Sequence, residues 1–399
     1  MIRETASRLS SLFRRAFARL ELPPTPGFTQ PAESPTLRQG GHVVCYHPQA
    51  SAIGEAILAA GGNAFDAFVA ATAAENVLSE GASSLAGALG VLVYHARERL
   101  VTYLDGNHND PLNPDAWWTD DDPAGGKAAL VPGAPAALDA LAAAHGRLPL
   151  ATLLAPAIAL ADGGFPVCRL MAMTIQRRAR ILRRSDYGRD TYLPNGKPLQ
   201  PGDTLRQPVV AEWLRSFAEQ GASYVYQGAF GQRFIETVRE NGGLLQASDL
   251  AAYREQWHVP WSTSYRGFAL HSCSGPTYGG LWTLLALKTL EHATVAESPH
   301  YSRDAEALER MLRIARAVWS ERFIFDDTVQ DDPAAIQERL SPEYTAAMFE
   351  RSAIGGIDPL SGLIGTHSFH IIAKDDEGNI ASGTTTAQSD PWGDGIFVE

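Results

Sequence analysis

Gly365 and Thr366 stand together after the glycine-rich stretch SAIGGIDPLSGLIG and at the head of THSFHIIAKDDEGNIASGTTTAQ. A threonine exposed as a new N-terminus by backbone cleavage is a catalytic unit in itself. Its hydroxyl attacks a carbonyl while its own α-amine, with an unperturbed pKa of about 8, takes the proton. A preceding glycine suits such a cut, because a residue without Cβ reaches the strained backbone that brings the hydroxyl onto the carbonyl before it. The sequence holds no Walker loop, GxGxxG, HExxH, paired CxxC or GxSxG elbow, so phosphate cradling, zinc hydrolysis and a serine elbow drop out. A Gly-Thr pair alone carries little weight, and an ordinary strand threonine is the plain alternative.

The elements that must position this pair read as follows. HVVCYH near Gly41 gives a short apolar run, and PQASAIGEAILAAGGNAFDAFVAATAAENVL gives two alanine-rich helices broken at Gly61-Gly62. ALGVLVYHARERLVTYLDG predicts two strands around a charged turn from His95 to Arg99. From about Gly133 to Glu350 the periodicity is mostly helical, interrupted by one strand in TSYRGFALHSCSG. The THSFHIIAKDDEGNIASGTTTAQ segment predicts a β-hairpin turning at Asp375 to Asn379. A terminal hairpin leaves its outer edge unpaired, so the remainder of the layer is expected in cis or trans.

Composition narrows the partners. With 33 Lys and Arg against 45 Asp and Glu, the net charge of -12 argues against a nucleic-acid or anionic-membrane binder, which needs a basic surface. A small-molecule partner is expected. Cys45, Cys168 and Cys273 are odd in number and widely spaced, which predicts buried thiols, no disulfide and no metal cluster. His367 and His370, three apart in a strand, face opposite sides and make no metal pair. The first twenty residues carry five arginines and no uninterrupted apolar core, so neither a secretory signal nor a membrane span is expected, and a cytoplasmic location follows as an expectation. The run QRRARILRR, Gln176 to Arg184, reads as the solvated face of a helix, and Gly61, Gly62, Gly279 and Gly280 read as turns and packing points.

Several blocks, in order, resemble the γ-glutamyltranspeptidase family. ASAIGEAILAAGGNAFDAFVAA, Ala50 to Ala71, is similar to its early GGNA(V/F)DA signature; VPGAPAALDALAAAHGRLPL from Val131, APAIALADGGFPV from Ala155, GGLLQASDLAAY from Gly242 and SGPTYGG from Ser274 follow, and THSFHIIAKDDEGNIASGTTTAQ resembles the start of the small subunit. The resemblance covers roughly Gly41 to Glu399 and implies an α+β fold, the αββα four-layer sandwich of N-terminal-nucleophile hydrolases, incomplete at the C-terminus. It divides the chain into a basic, disordered segment and linker (1–40), a large-subunit-like region (41–365) and the start of a small-subunit-like region (366–399). It implies self-cleavage between Gly365 and Thr366, Thr366 as nucleophile, Thr386 as the threonine that orients it, with Thr384 or Thr385 as alternatives because the hairpin is about two residues longer than in the family, and Gln388 at the substrate's amino-acid end. It implies no cofactor.

The departures bear on substrate. Where the family has an arginine in Asp-x-Arg-Glu gripping an α-carboxylate, this chain reads Asp105-Gly106-Asn107-His108, so the substrate-binding position is Asn107. The resemblance implies a gamma-glutamyltransferase-like enzyme, by acyl transfer or amide hydrolysis, on a small-molecule amide or γ-glutamyl-like substrate; an amide cannot replace a bidentate guanidinium, so Asn107 motivates the alternative of a non-γ-glutamyl acyl group. At the cut the family reads Thr-Thr-His and this chain Thr366-His367-Ser368; EGASSLAGALG replaces a glycine-rich stretch. The family's further small-subunit residues, oxyanion glycines included, fall after the point corresponding to Glu399. The rival expectation is therefore an inactive family fragment or binding scaffold lacking the oxyanion hole.

Overall fold

The computed structural model describes residues 41–116, 125–275, 278–293, 300–321, 332–353, 368–387 and 389–398. Gly365, Thr366, His367, Gln388 and the segment 1–40 lie outside the described residues. The centre is a six-stranded antiparallel sheet. Its strands are β1 (His42–Val44), β2 (Ala88–His95), β3 (Leu100–Gly106), β6 (Gln256–His258), β9 (Ser368–Lys374) and β10 (Ile380–Thr386), in the order β1-β9-β10-β2-β3-β6. The remaining strands pair separately, β4 (Phe165–Pro166) with β5 (Thr204–Leu205) and β7 (Trp261–Tyr265) with β8 (Phe268–Ser272). The hairpin expected around Asp375 to Asn379 is β9-β10, and the charged turn joins β2 to β3.

Alternation sets the two faces of the sheet. Leu89, Val91, Val93, Leu104, Ile371, Ala373 and Ala381 point inward and are buried. They pack on the helical layer formed by α1 (Pro48–Ala59), α2 (Ala64–Leu78), α3 (Ala134–His145) and α4 (Leu150–Gly163). Every residue of α2 is buried, which explains its alanine-rich composition: small side chains on all sides let the sheet and three helices close on it. A Cβ at Gly383 would stand 2.7 Å from the Phe68 ring, so β10 meets α2 at that glycine.

The GGNAFDA block is a turn and a cap. Gly61 takes φ +95 to end α1, a conformation that costs glycine little. Asn63 then caps α2 through its carbonyl oxygen, and the Asp66 carboxylate returns to the Asn63 amide, closing a capping box. Asp66 also accepts the Arg147 amide at 3.0 Å, which fixes the exit of α3.

Four expectations are corrected. The β9-β10 hairpin has no unpaired edge, because β1 pairs with β9 and β2 with β10. Cys45, Cys168 and Cys273 are free thiols but only partly buried. The segment TSYRGFALHSCSG forms the hairpin β7-β8 rather than one strand, because Arg266 (φ 50) and Gly267 (φ 83) make the paired left-handed turn that a two-residue hairpin requires. The run Gln176 to Arg184 is not wholly a solvated face. It belongs to α5 (Arg169–Leu182) and the turn after it, where Gln176, Arg177, Arg180 and Arg183 are exposed. Arg178, however, donates to the carbonyls of Pro391 (3.0 Å) and Gly393, and Arg184 donates to that of Asp394 (2.9 Å). These bonds seat the 389–398 segment, whose Trp392 lies against Gly81 and Tyr192.

Candidate active site

The strand register fixes which side chains share the outward face. Thr386 pairs with Ser368 on one side and Ala88 on the other. Because Leu89 pairs with Gly106, Asn107 lies one residue past the last β2-β3 pair, level with Ala88. Thr386 and Asn107 therefore stand at the same end of the sheet, roughly 10 Å apart at the usual strand spacing of about 4.8 Å. That end is also where β9 begins, two residues after Thr366.

The next row inward is His370, Thr384, Gly90, Asp105 and Gln256, and the one after it holds Ile372, Ser382, Leu92, Tyr103 and His258. Of the three consecutive threonines, Thr385 is fully buried toward the helical layer, while Thr384 and Thr386 share the outward face. Thr384 is engaged with His370, whose Nδ1 lies 2.8 Å from Oγ1 and whose Nε2 lies 3.0 Å from Ser382 Oγ. Partial burial pushes the His370 pKa below its ordinary value. Gly87 brings Thr386 close to the loop before β2, since a Cβ there would lie 2.3 Å from the Thr386 carbonyl oxygen.

Asn107 is held in place. Asp105 Oδ1 accepts both its backbone amide at 2.9 Å and its side-chain amide at 2.6 Å, an Asx-type turn at the end of β3. The Tyr253 hydroxyl donates to the Asn107 carbonyl at 2.7 Å. Burial, with the Asp105 charge nearby, pushes the Tyr253 phenol well up, so it stays a donor at neutral pH. Asp105 is 8% exposed, and its Oδ2 faces His258 Nε2 at 3.9 Å. His258 stacks on Tyr103 with ring centroids 6.2 Å apart. Tyr253 and His258 were not singled out from sequence, and Asp105 and His370 were named there without a role at this site; for His258 the reason is that β6 is three residues long, too short for an alternation signal. The site has four kinds of group to offer a ligand: threonine hydroxyls, a buried carboxylate, imidazoles and an amide. Among the described residues no group of three or more His, Cys, Asp or Glu side chains is arranged to hold a metal ion.

Comparison with known proteins identifies the family and the fold. Residues 50–399 match the family model described as gamma-glutamyltranspeptidase. Acylase ACY 1 proenzyme of Pseudomonas sp. (strain SE83) is 32% identical over 382 residues, covering 89% of this chain and 66% of its own length. The glutathione hydrolase-like YwrD proenzyme of Bacillus subtilis is 29% identical over 359 residues, covering 85% of this chain and 65% of the relative. The chain thus spans just under two thirds of the length of these relatives. Among solved structures, cephalosporin acylase from Bacillus halodurans superimposes with a TM-score of 0.75 at 27% identity, over 93% of this chain and 71% of that one. Helicobacter pylori gamma-glutamyltranspeptidase superimposes with a TM-score of 0.71 at 25% identity, over 80% and 96%. The fold is the α+β fold of these N-terminal-nucleophile hydrolases, of which the described residues supply a helical layer and the sheet it packs on. On the family match over residues 50–399 and the shared fold, the chain belongs to the gamma-glutamyltranspeptidase family.

Proposed function

We propose that this chain carries the nucleophile of an enzyme that cleaves an amide by acyl transfer, with Thr366 freed by self-cleavage after Gly365. The Thr366 hydroxyl attacks the substrate carbonyl and its α-amine takes the proton, then returns it to the departing amine. The threonyl ester that remains is released to water, giving hydrolysis, or to a second amine, giving transfer. The observation that carries the reading is the convergence of Thr386, Asn107 and the start of β9 at one end of one sheet face. Developing negative charge on the carbonyl needs aimed donors, worth about 3 kcal/mol each. A small-subunit portion, in cis or in trans, supplies them. The same portion covers the outward face, where Val44 and Ile372 are neighbours and both exposed.

The acyl group is not γ-glutamyl in this proposal. Asn107 stands where the family resemblance expects an arginine, and its side-chain amide is already taken by Asp105. Relatives named as acylases accord with this class, and relatives named as glutathione hydrolases carry the γ-glutamyl alternative, so the proposal rests on Asn107.

The test is the intact mass of purified protein, small-subunit portion included, before and after incubation. Two fragments are expected, the second beginning Thr366-His367-Ser368, and Thr366→Ala should leave one uncut chain. A wild-type chain that never splits, and matches Thr366→Ala in every assay, would falsify the proposal and favour an inactive scaffold.

A further inference from the structure

The Asp105–His258 pair is built unlike an ordinary buried ion pair. Asp105 Oδ1 is saturated by the two Asn107 donors, whereas Oδ2 is 3.9 Å from His258 Nε2, too far for a direct hydrogen bond. His258 Nε2 is itself buried with no hydrogen-bond partner among the described residues. Two polar atoms thus face one gap. Gly275, at φ +73, closes a side of it, since a Cβ there would stand 3.4 Å from Asp105 Oδ2 and 3.6 Å from His258 Nε2. The His258 side chain is 29% exposed through its other atoms, so Nε2 lies just beneath the surface.

A buried carboxylate is stable only when paired and hydrogen-bonded. Among the described residues, the ion pairs reach Asp105 through His258 alone, with no lysine or arginine. A group with two donated protons can stand about 2.8 Å from both atoms of a pair 3.9 Å apart. In the tautomer that presents Nε2 as acceptor, both atoms accept, and the matching group is a multiple donor and preferably a cation.

We infer that the Asp105–His258 gap is a subsite for a primary ammonium on the substrate, so that the acyl donors are amino-acyl amides without an α-carboxylate. The inference rests on the proposed amide-cleaving function for the word acyl, and on geometry alone for the binding of the amine. Asp105 lies in the row beside Thr386 and Asn107, which places an ammonium there a short chain's length from the candidate nucleophile end of the sheet. An anionic substrate group is disfavoured by the same carboxylate.

The experiment is calorimetric binding to the full protein at pH 8 of three amides of equal length: 5-aminopentanamide, its isostere hexanamide, and adipamate. The ammonium compound should bind at least about tenfold tighter than hexanamide, the worth of one hydrogen bond to a charged group, and adipamate weakest. Asp105→Asn, which keeps the shape and an acceptor for Asn107, should remove the preference, and His258→Leu should reduce it, with thermal melting checking that each variant is folded. Equal binding of 5-aminopentanamide and hexanamide, no binding of any probe, or a preference that survives Asp105→Asn overturns the inference and leaves the gap to a bridging water. Failure of the proposed function is read separately: an uncut, inactive chain that selects the ammonium keeps this subsite, and a self-cleaving chain that does not select it loses the subsite alone.

Discussion

Asp375, in the turn of the β9-β10 hairpin, accepts the backbone amide of Ala64 at 3.1 Å, so a residue beyond the candidate cut holds the first turn of the central helix. The carboxylate's other bonds come from Asn379, through the backbone amide at 2.9 Å and the side-chain amide at 2.9 Å. A carboxylate at a helix N-terminus satisfies an orphan donor and meets the positive end of the helix. The hairpin and α2 are thereby joined at both levels, by this bond and by the packing of β9 and β10 on the helix.

Replacing Asp375 by alanine leaves the Ala64 and Asn379 amides without that acceptor in a buried setting. A loss of about 3 kcal/mol in unfolding free energy is expected. Asp375→Asn, which retains one acceptor oxygen, should lose less. Urea titration of the two variants measures this; equal and negligible losses would show that the turn bears no load.

Glu75 is buried in α2 and receives the His47 amide at 2.9 Å and the Ser79 hydroxyl at 2.8 Å. Burial nevertheless pushes its carboxyl above the ordinary value of 4.5, the two donors pulling the other way. Between 4.5 and the raised value the folded chain holds more protons than the unfolded chain, so stability falls as pH rises through that window. Glutamine keeps an oxygen for His47 and turns its amide toward Ser79. Glu75→Gln should therefore raise the melting temperature at pH 8 and lose that gain by pH 4. A gain equal at both pH values would remove ionisation as its cause.

Gly87 tests the position of Thr386. A Cβ there meets the Thr386 carbonyl at 2.3 Å and the Ser84 carbonyl at 2.9 Å, both backbone atoms that cannot swing aside. Gly87→Ala should cost about 2 kcal/mol of stability by overpacking. Its effect on self-cleavage should exceed that of an equally destabilising change remote from β10, because the backbone carrying Thr386 must move. A cleavage rate that tracks stability alone argues against a role for Thr386.

The order of elements and the β9-β10 hairpin were legible because alternation over seven-residue strands is a strong local signal. So was the break at Gly61-Gly62, which turn chemistry demands. What joins Asp105 to His258 was not legible. The contact spans a long stretch of chain and depends on β6 pairing with β3, which a strand of three residues is too short to announce. The choice among Thr384, Thr385 and Thr386 likewise needs the register, since one residue turns each to the opposite face. Arg178 looked like a solvated charge because its partners are backbone carbonyls of Pro391 and Gly393, and a carbonyl leaves no mark in sequence.

Asn107→Arg probes the substrate boundary directly. A guanidinium at this position offers a bidentate, charge-assisted grip on a carboxylate, about twice as strong per bond as an amide provides. Turnover of γ-glutamyl p-nitroanilide relative to a neutral acyl anilide should rise at least about tenfold, the consequence of roughly 1.4 kcal/mol. Asp105 competes for the new side chain, because it already holds the Asn107 amide at 2.6 Å. The double variant Asp105→Asn with Asn107→Arg should therefore show the larger rise. By the same charge pairing, the single variant should weaken binding of 5-aminopentanamide, since an arginine beside Asp105 supplies the cation that the ligand would bring. If γ-glutamyl turnover is already robust in the unaltered protein and is lost in Asn107→Ala, the amide itself reads the carboxylate, and the substrate class assigned from Asn107 must be withdrawn.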